Sequence, residues 1–130
     1  MSTNNDVYLG NPNLKKANTQ IEFTEDNIRE FLKCKADPIY FTRKYIKIVS
    51  LDEGLVPFDM YDFQEKLIKR FHENRFNICK MPRQTGKSTT CISYLLHYAV
   101  FNDNVNIAVL ANKASTARDL LGRLQLAYEN

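Results

Sequence analysis

Phe76-Asn77-Ile78-Cys79-Lys80-Met81-Pro82-Arg83-Gln84-Thr85-Gly86-Lys87-Ser88-Thr89-Thr90 is the stretch on which the reading of this chain turns. Its apolar beginning reads as a short buried strand, its middle as a tight loop, and its end as the first turn of a helix. Gly-Lys-Ser at such a junction suits a nucleoside triphosphate. Backbone N–H groups at a helix N-terminus can point at phosphate oxygens. Gly86 has no Cβ, so the backbone there can come close to a ligand. Lys87 can set its ammonium against the β- and γ-phosphates, and Ser88 can place a hydroxyl on Mg²⁺. The full pattern is G-x-x-x-x-G-K-[ST], and Met81 stands where its first glycine belongs. A bare Gly-Lys-Ser recurs by chance at the start of surface helices. The apolar segments on both sides favour phosphate binding over a plain strand-turn-helix.

Downstream, the apolar run Cys91-Ile92-Ser93-Tyr94-Leu95-Leu96-His97-Tyr98-Ala99-Val100-Phe101 continues the helix, so Lys87–Phe101 is expected to be helical. Asn102-Asp103-Asn104 makes a turn, and residues 106–111 read as a second strand. The two strands, residues 76–81 and 106–111, start about 30 residues apart, the length of a right-handed βαβ unit with parallel strands. Ile107-Ala108-Val109-Leu110-Ala111 suits a strand covered on both faces. The last helix carries Ala117, Leu120, Leu121, Leu124 and Tyr128 on one face, with Ser115 or Thr116 as its cap. The fold class expected from this alternation is α/β, a three-layer αβα sandwich with a parallel sheet of the P-loop NTPase kind. A parallel sheet of two strands makes a poor domain, and no strand follows before Asn130. The expectation is therefore the incomplete N-terminal portion of such a fold, behind a small helical segment.

Upstream, residues 1–22 are rich in asparagine, with Gly10 and Pro12, and read as a flexible or loosely docked arm, or as one that orders on a partner. Residues 23–60 read as a helical subdomain. Thr24 offers an N-cap with Glu25 and Asp26 in the first turn, and Ile28, Phe31 and Leu32 recur at helical spacing over about residues 25–33. Asp37-Pro38 starts a second helix, with Phe41, Tyr45 and Ile48 on one face as core or packing surface. Residues 47–50 read as extended, and residues 51–59, with Gly54 and Pro57, as loop with a short strand near Val56. Residues 61–130 form the third unit, the first part of the ATPase domain. It opens on a helix from Tyr61 to near Asn74, with Phe63, Leu67 and Phe71 at steps of four.

The chain has 130 residues, a length of about one domain, and a net charge of +3 in which bases and acids are mixed. That charge permits contact with nucleic acid without arguing for it; an ordinary solvated surface explains it as well. Cys34, Cys79 and Cys91 form no C-x-x-C pair, and Cys79 and Cys91 read as buried thiols of a reducing setting. The N-terminus lacks an apolar run of the signal-peptide kind, and no stretch reaches the ~18 apolar residues of a membrane span. His72 and His97 lack further ligands at metal spacing.

Three pieces of the chain resemble the large terminase subunit of tailed phages, closest to the T-even type. They are Asp37-Pro38-Ile39-Tyr40-Phe41; Leu55-Val56-Pro57-Phe58 with Tyr61-Asp62-Phe63-Gln64; and Arg83-Gln84-Thr85-Gly86-Lys87-Ser88 with Asn112-Lys113-Ala114 beyond it. Together they run from about residue 24 to the end of the chain. The form Arg-Gln-x-Gly-Lys-[Ser/Thr] accounts for the missing first glycine. The resemblance implies an ATP- and Mg²⁺-dependent motor that packages double-stranded DNA into procapsids. It would work in the host cell cytoplasm, as a homo-oligomeric ring on the portal protein, with a small terminase subunit as partner and no membrane. Residue by residue, it implies that Lys87 and Arg83 act in catalysis and that Ser88 holds Mg²⁺ through its hydroxyl. It implies that Gln84, Thr85, Gly86, Lys87, Ser88 and Thr89 hold the phosphates. Gln64 matches the family's adenine-reading glutamine, a role its carboxamide can serve by giving and taking a hydrogen bond.

Each role has a plainer counterpart. Gln64 also reads as an exposed helix glutamine and Arg83 as the partner of a surface carboxylate; Asn112-Lys113, at a place where related helicase-like motors touch DNA or brace the nucleotide loop, also reads as a turn at a strand end. No apolar strand ending in Asp-Glu follows Ala111, and no carboxylate cluster for a two-metal nuclease is present. This stretch is therefore expected to bind nucleotide weakly and not to hydrolyse it. Two other readings stand beside the motor: a helicase-like ATPase of superfamily 2, and a binding protein without catalysis.

Overall fold

The computed structural model describes residues 7–50 and 52–130. Met1 to Asp6 of the expected arm, and Leu51 of the expected loop, lie outside the described residues. The order of elements is β1 (Val7–Tyr8), β2 (Asn11–Lys15), α1 (Glu25–Ala36), α2 (Pro38–Tyr45), β3 (Lys47–Ser50), β4 (Gly54–Pro57), α3 (Asp62–Glu73), α4 (Lys87–Phe101) and α5 (Ala114–Glu129).

The sequence accounts for most helix starts. Thr24 caps α1 by accepting the Asn27 amide at 3.3 Å. Asp37 caps α2 by accepting the amides of Ile39 at 2.9 Å and Tyr40 at 3.1 Å, with Pro38 in the first turn. At α3 the Gln64 carboxamide reaches back and accepts the Tyr61 amide at 3.0 Å. Along α4 the buried positions Thr90, Ser93, His97 and Phe101, with Ile92 and Leu96, form one inward face. For α5, neither Ser115 nor Thr116 is the cap: the helix begins at Ala114 behind Lys113, without a side-chain cap.

The core lies between α2, α3 and α4. Ile46, Phe58, Met60, Ile68 and Leu96 make its centre, and Phe41, Tyr94, Leu124 and Ala127 pack around it. α5 lies on α4 through Leu124 and Ala127, whereas Leu121 and Tyr128, expected on the same face, are exposed. The ring of His97 is buried among aromatic neighbours, its Nε2 2.9 Å from the Cys34 carbonyl oxygen. Burial lowers its pKa below the usual histidine value.

The expected parallel three-layer sheet is not what forms. The only sheets among the described residues are two antiparallel pairs, β1 with β2 and β3 with β4. Residues 76–81 and 106–111, read as parallel strands, carry no strand pairing. Most of their apolar side chains face solvent: Ile78 is fully exposed and Leu110 is 89% exposed, while Met81 and Val109 are half-buried. The physical reason is that an apolar run becomes a buried strand only when neighbouring strands take its N–H and C=O groups and helices cover both faces. These two segments meet neither condition. Cys79, expected to be buried in a strand, is exposed for the same reason, while Cys34 is buried and Cys91 partly so. Residues 7–15, read as part of an arm, form a hairpin. Asn11 and Asn13 tie it to the end of α5, donating their side-chain amides to the Glu129 carbonyl at 3.2 and 3.1 Å.

Candidate functional site

The loop before α4 is built by two residues with positive φ. Gln84 has φ of 61° and Gly86, the N-cap of α4, has φ of 69°. That backbone turns the chain sharply into the helix and leaves the first-turn amides without a side-chain cap. The carbonyl of Gly86 is occupied by the Thr90 amide at 2.9 Å and by the Thr90 hydroxyl at 3.0 Å. The amides of Lys87, Ser88 and Thr89, facing the other way, are the groups a bound anion meets at a helix start.

Gln64 ties α3 to this loop. Its carboxamide nitrogen donates to the Thr85 carbonyl at 3.2 Å while its oxygen holds the Tyr61 amide, and only 3% of the residue is exposed. The exposed-glutamine reading is therefore replaced by a buried brace. A carboxamide has two donors and room for two acceptor bonds, so one of each is left over. Gly86 fits closely beneath it: a Cβ at Gly86 would fall 2.5 Å from the Gln64 nitrogen.

Lys87 folds its ammonium back over the loop, donating to the Pro82 carbonyl at 3.1 Å and the Met81 carbonyl at 3.4 Å. Thr85 closes the loop from the other side, its hydroxyl donating to the Pro82 carbonyl at 3.1 Å. Arg83 is exposed and has no carboxylate partner among the described residues. Asn112 and Lys113 form the bend into α5, with Lys113 at its N-cap position.

Two cavities meet at the loop. The first, of about 360 Å³, is lined by residues 83–89 and by Arg123 of α5. Among the described residues that line it are three cationic side chains, Arg83, Lys87 and Arg123, and no carboxylate. The second, of about 450 Å³, shares Gln84, Thr85, Gly86 and Thr89 with it and is walled by Ile48, Phe58, Asp59, Tyr61, Phe63 and Gln64. The rings of Tyr61 and Phe63 lie parallel, 5.8 Å apart. A basic cavity opening into an aromatic one matches a ligand with an anionic end and a flat end.

The structure thus brings Gln64, Gln84, Thr85, Gly86, Lys87, Ser88, Thr89 and Arg83 to one place. Arg123 was missed. It stands beside Leu124 in the sequence, but its place at the cavity comes from the docking of α5 on α4, which the pattern of the helix alone does not show. Among the described residues, no group of three or more His, Cys, Asp or Glu side chains is arranged to hold a metal ion. Nor is any helix among them long and apolar enough to cross a membrane. No protein-family model matches the chain.

Proposed function

We propose that the loop at the head of α4 grips the phosphates of ATP. In this reading the chain is the nucleotide-binding part of a DNA-packaging motor of the large terminase type, acting in the host cytoplasm at the procapsid portal. The observation that carries the reading is the cavity of residues 83–89 and Arg123, with no carboxylate among the described residues on its walls, beside the aromatic pocket at Gln64 with which it shares Gln84, Thr85, Gly86 and Thr89. The amides of α4's first turn and the Lys87 ammonium supply phosphate donors. Tyr61 or Phe63 supplies a surface for the base, and the spare donor and acceptor of Gln64 supply its edge contacts. The Ser88 hydroxyl is the group suited to Mg²⁺, which neutralises phosphate charge when bound.

Support for this reading is local to the loop and owes nothing to a parallel sheet. Contact with double-stranded DNA would be independent of sequence and weakened by salt, because it would run through backbone phosphates. ATP turnover by this chain is not expected, since no carboxylate among the described residues lines the phosphate cavity to orient a water. Displacement of a fluorescent ATP analogue tests the proposal. ATP with Mg²⁺ should displace the probe at lower concentration than AMP. Equal displacement by ATP and AMP would remove the phosphate-binding role, and steady phosphate release above background would contradict the lack of turnover.

A further inference from the structure

We infer that Arg123 of α5 is a phosphate ligand of this site. The inference rests on the nucleotide reading of the loop and names a contact which that reading lacked. Among the described residues, Arg123 is the only one outside the loop and its helix turn that lines the 360 Å³ cavity. Its place there follows from packing: Leu124 and Ala127 fasten α5 to the core, which sets the neighbouring position 123 at the cavity's edge.

Two further observations bear on it. Arg123 makes no ion pair and no side-chain hydrogen bond among the described residues, although α5 carries Asp119 and Glu129. Glu129 instead accepts from Gln125 at 2.7 Å. The cavity therefore gathers Arg83, Lys87 and Arg123 with nothing anionic among the described residues on its walls. Like charges around one cavity repel, and an anion between them turns that repulsion into attraction. A guanidinium offers a planar fork of donors that fits two phosphate oxygens at once, which an ammonium cannot do. Binding a triphosphate would then fasten α5 to the head of α4, so the ligand bridges two helices.

Calorimetric titration of the full chain with MgATP, ADP and AMP tests this, using Arg123→Gln, Arg123→Lys, Lys87→Ala and, as a charge control outside the cavity, Arg118→Gln. Arg123→Gln should weaken ATP about 10-fold to 100-fold, the range of one charge-assisted hydrogen-bond contact. It should weaken AMP far less, and Arg123→Lys should recover part of the loss. A purely structural role would lower all three affinities alike, and that result would overturn the inference. So would unchanged ATP affinity in Arg123→Gln alongside loss in Lys87→Ala, which leaves the nucleotide reading standing. Absence of ATP binding by the wild type removes both.

Discussion

Replacing Gly86 by alanine puts the geometry of the loop to a direct test. Gly86 sits at φ of 69°, in the left-handed region, where an L side chain costs about 1–2 kcal/mol. The added Cβ would also lie 2.5 Å from the Gln64 nitrogen, so the carboxamide must move. Moving it gives up the bond to the Thr85 carbonyl, a further loss of about 1 kcal/mol. The expected total is about 2–3 kcal/mol, which at this chain length lowers Tm by roughly 4 °C per kcal/mol. A double-mutant cycle separates the two parts. The next nearest atom to the new Cβ also belongs to Gln64, so Gln64→Ala removes the clash and leaves only the backbone strain. Urea denaturation of wild type, both single variants and the double variant gives the coupling directly, expected at about 1 kcal/mol in favour of the double variant. If Gly86→Ala costs the same in both backgrounds, within about 0.5 kcal/mol, Gln64 does not brace the loop and the reasoning fails.

Other consequences follow from the core and from the charge cluster on α1. Ile68 is fully buried at the centre of the core, so Ile68→Ala should lose about 2–5 kcal/mol in urea denaturation, and a loss below about 1 kcal/mol would misplace the core. The Glu30 carboxylate accepts from the Lys44 ammonium at 2.7 Å and from the hydroxyls of Tyr45 and Tyr40 at 3.0 Å each. Lys44 foremost, then Tyr45 and Tyr40, hold its pKa at about 2 against an ordinary 4.5. A carboxylate depressed in this way adds stability above the unfolded value, and that contribution fades as pH falls from 4.5 toward 2. Thermal melts across that window should drop more steeply for wild type than for Glu30→Gln, and parallel curves would show that the cluster contributes nothing.

Local signals in the sequence carried the helices and the loop, while pairing over distance stayed hidden. Thr24 with Glu25 and Asp26, and Asp37 with Pro38, announced α1 and α2 because a cap acts within three residues of itself. Gly86-Lys87-Ser88 likewise announced a tight loop running into a helix, while the left-handed φ of Gly86 came only with the structure. Residues 76–81 and 106–111 misled because an apolar run records a tendency to be covered and says nothing about what covers it. The β1–β2 hairpin was invisible for the opposite reason. Its sequence is polar, and its anchor, the Glu129 carbonyl, lies at the far end of the chain. At the site, the family resemblance named Gln64, but only packing shows that its oxygen and its nitrogen already each hold one protein partner. Arg123 joined the cavity through the docking of α5 on α4, which no single-helix pattern encodes.

The most direct measurement is the affinity of the wild-type chain and of Lys87→Ala for MgATP, taken with the melting temperature of each. Lys87 is at a loop-helix junction and bonds only to the carbonyls of Met81 and Pro82, so its loss should leave Tm within a few degrees. Affinity should fall tenfold or more, as expected when an ammonium is withdrawn from phosphate. Equal affinities in the two proteins, with both folded, would show that the head of α4 is an ordinary helix start and not a phosphate grip.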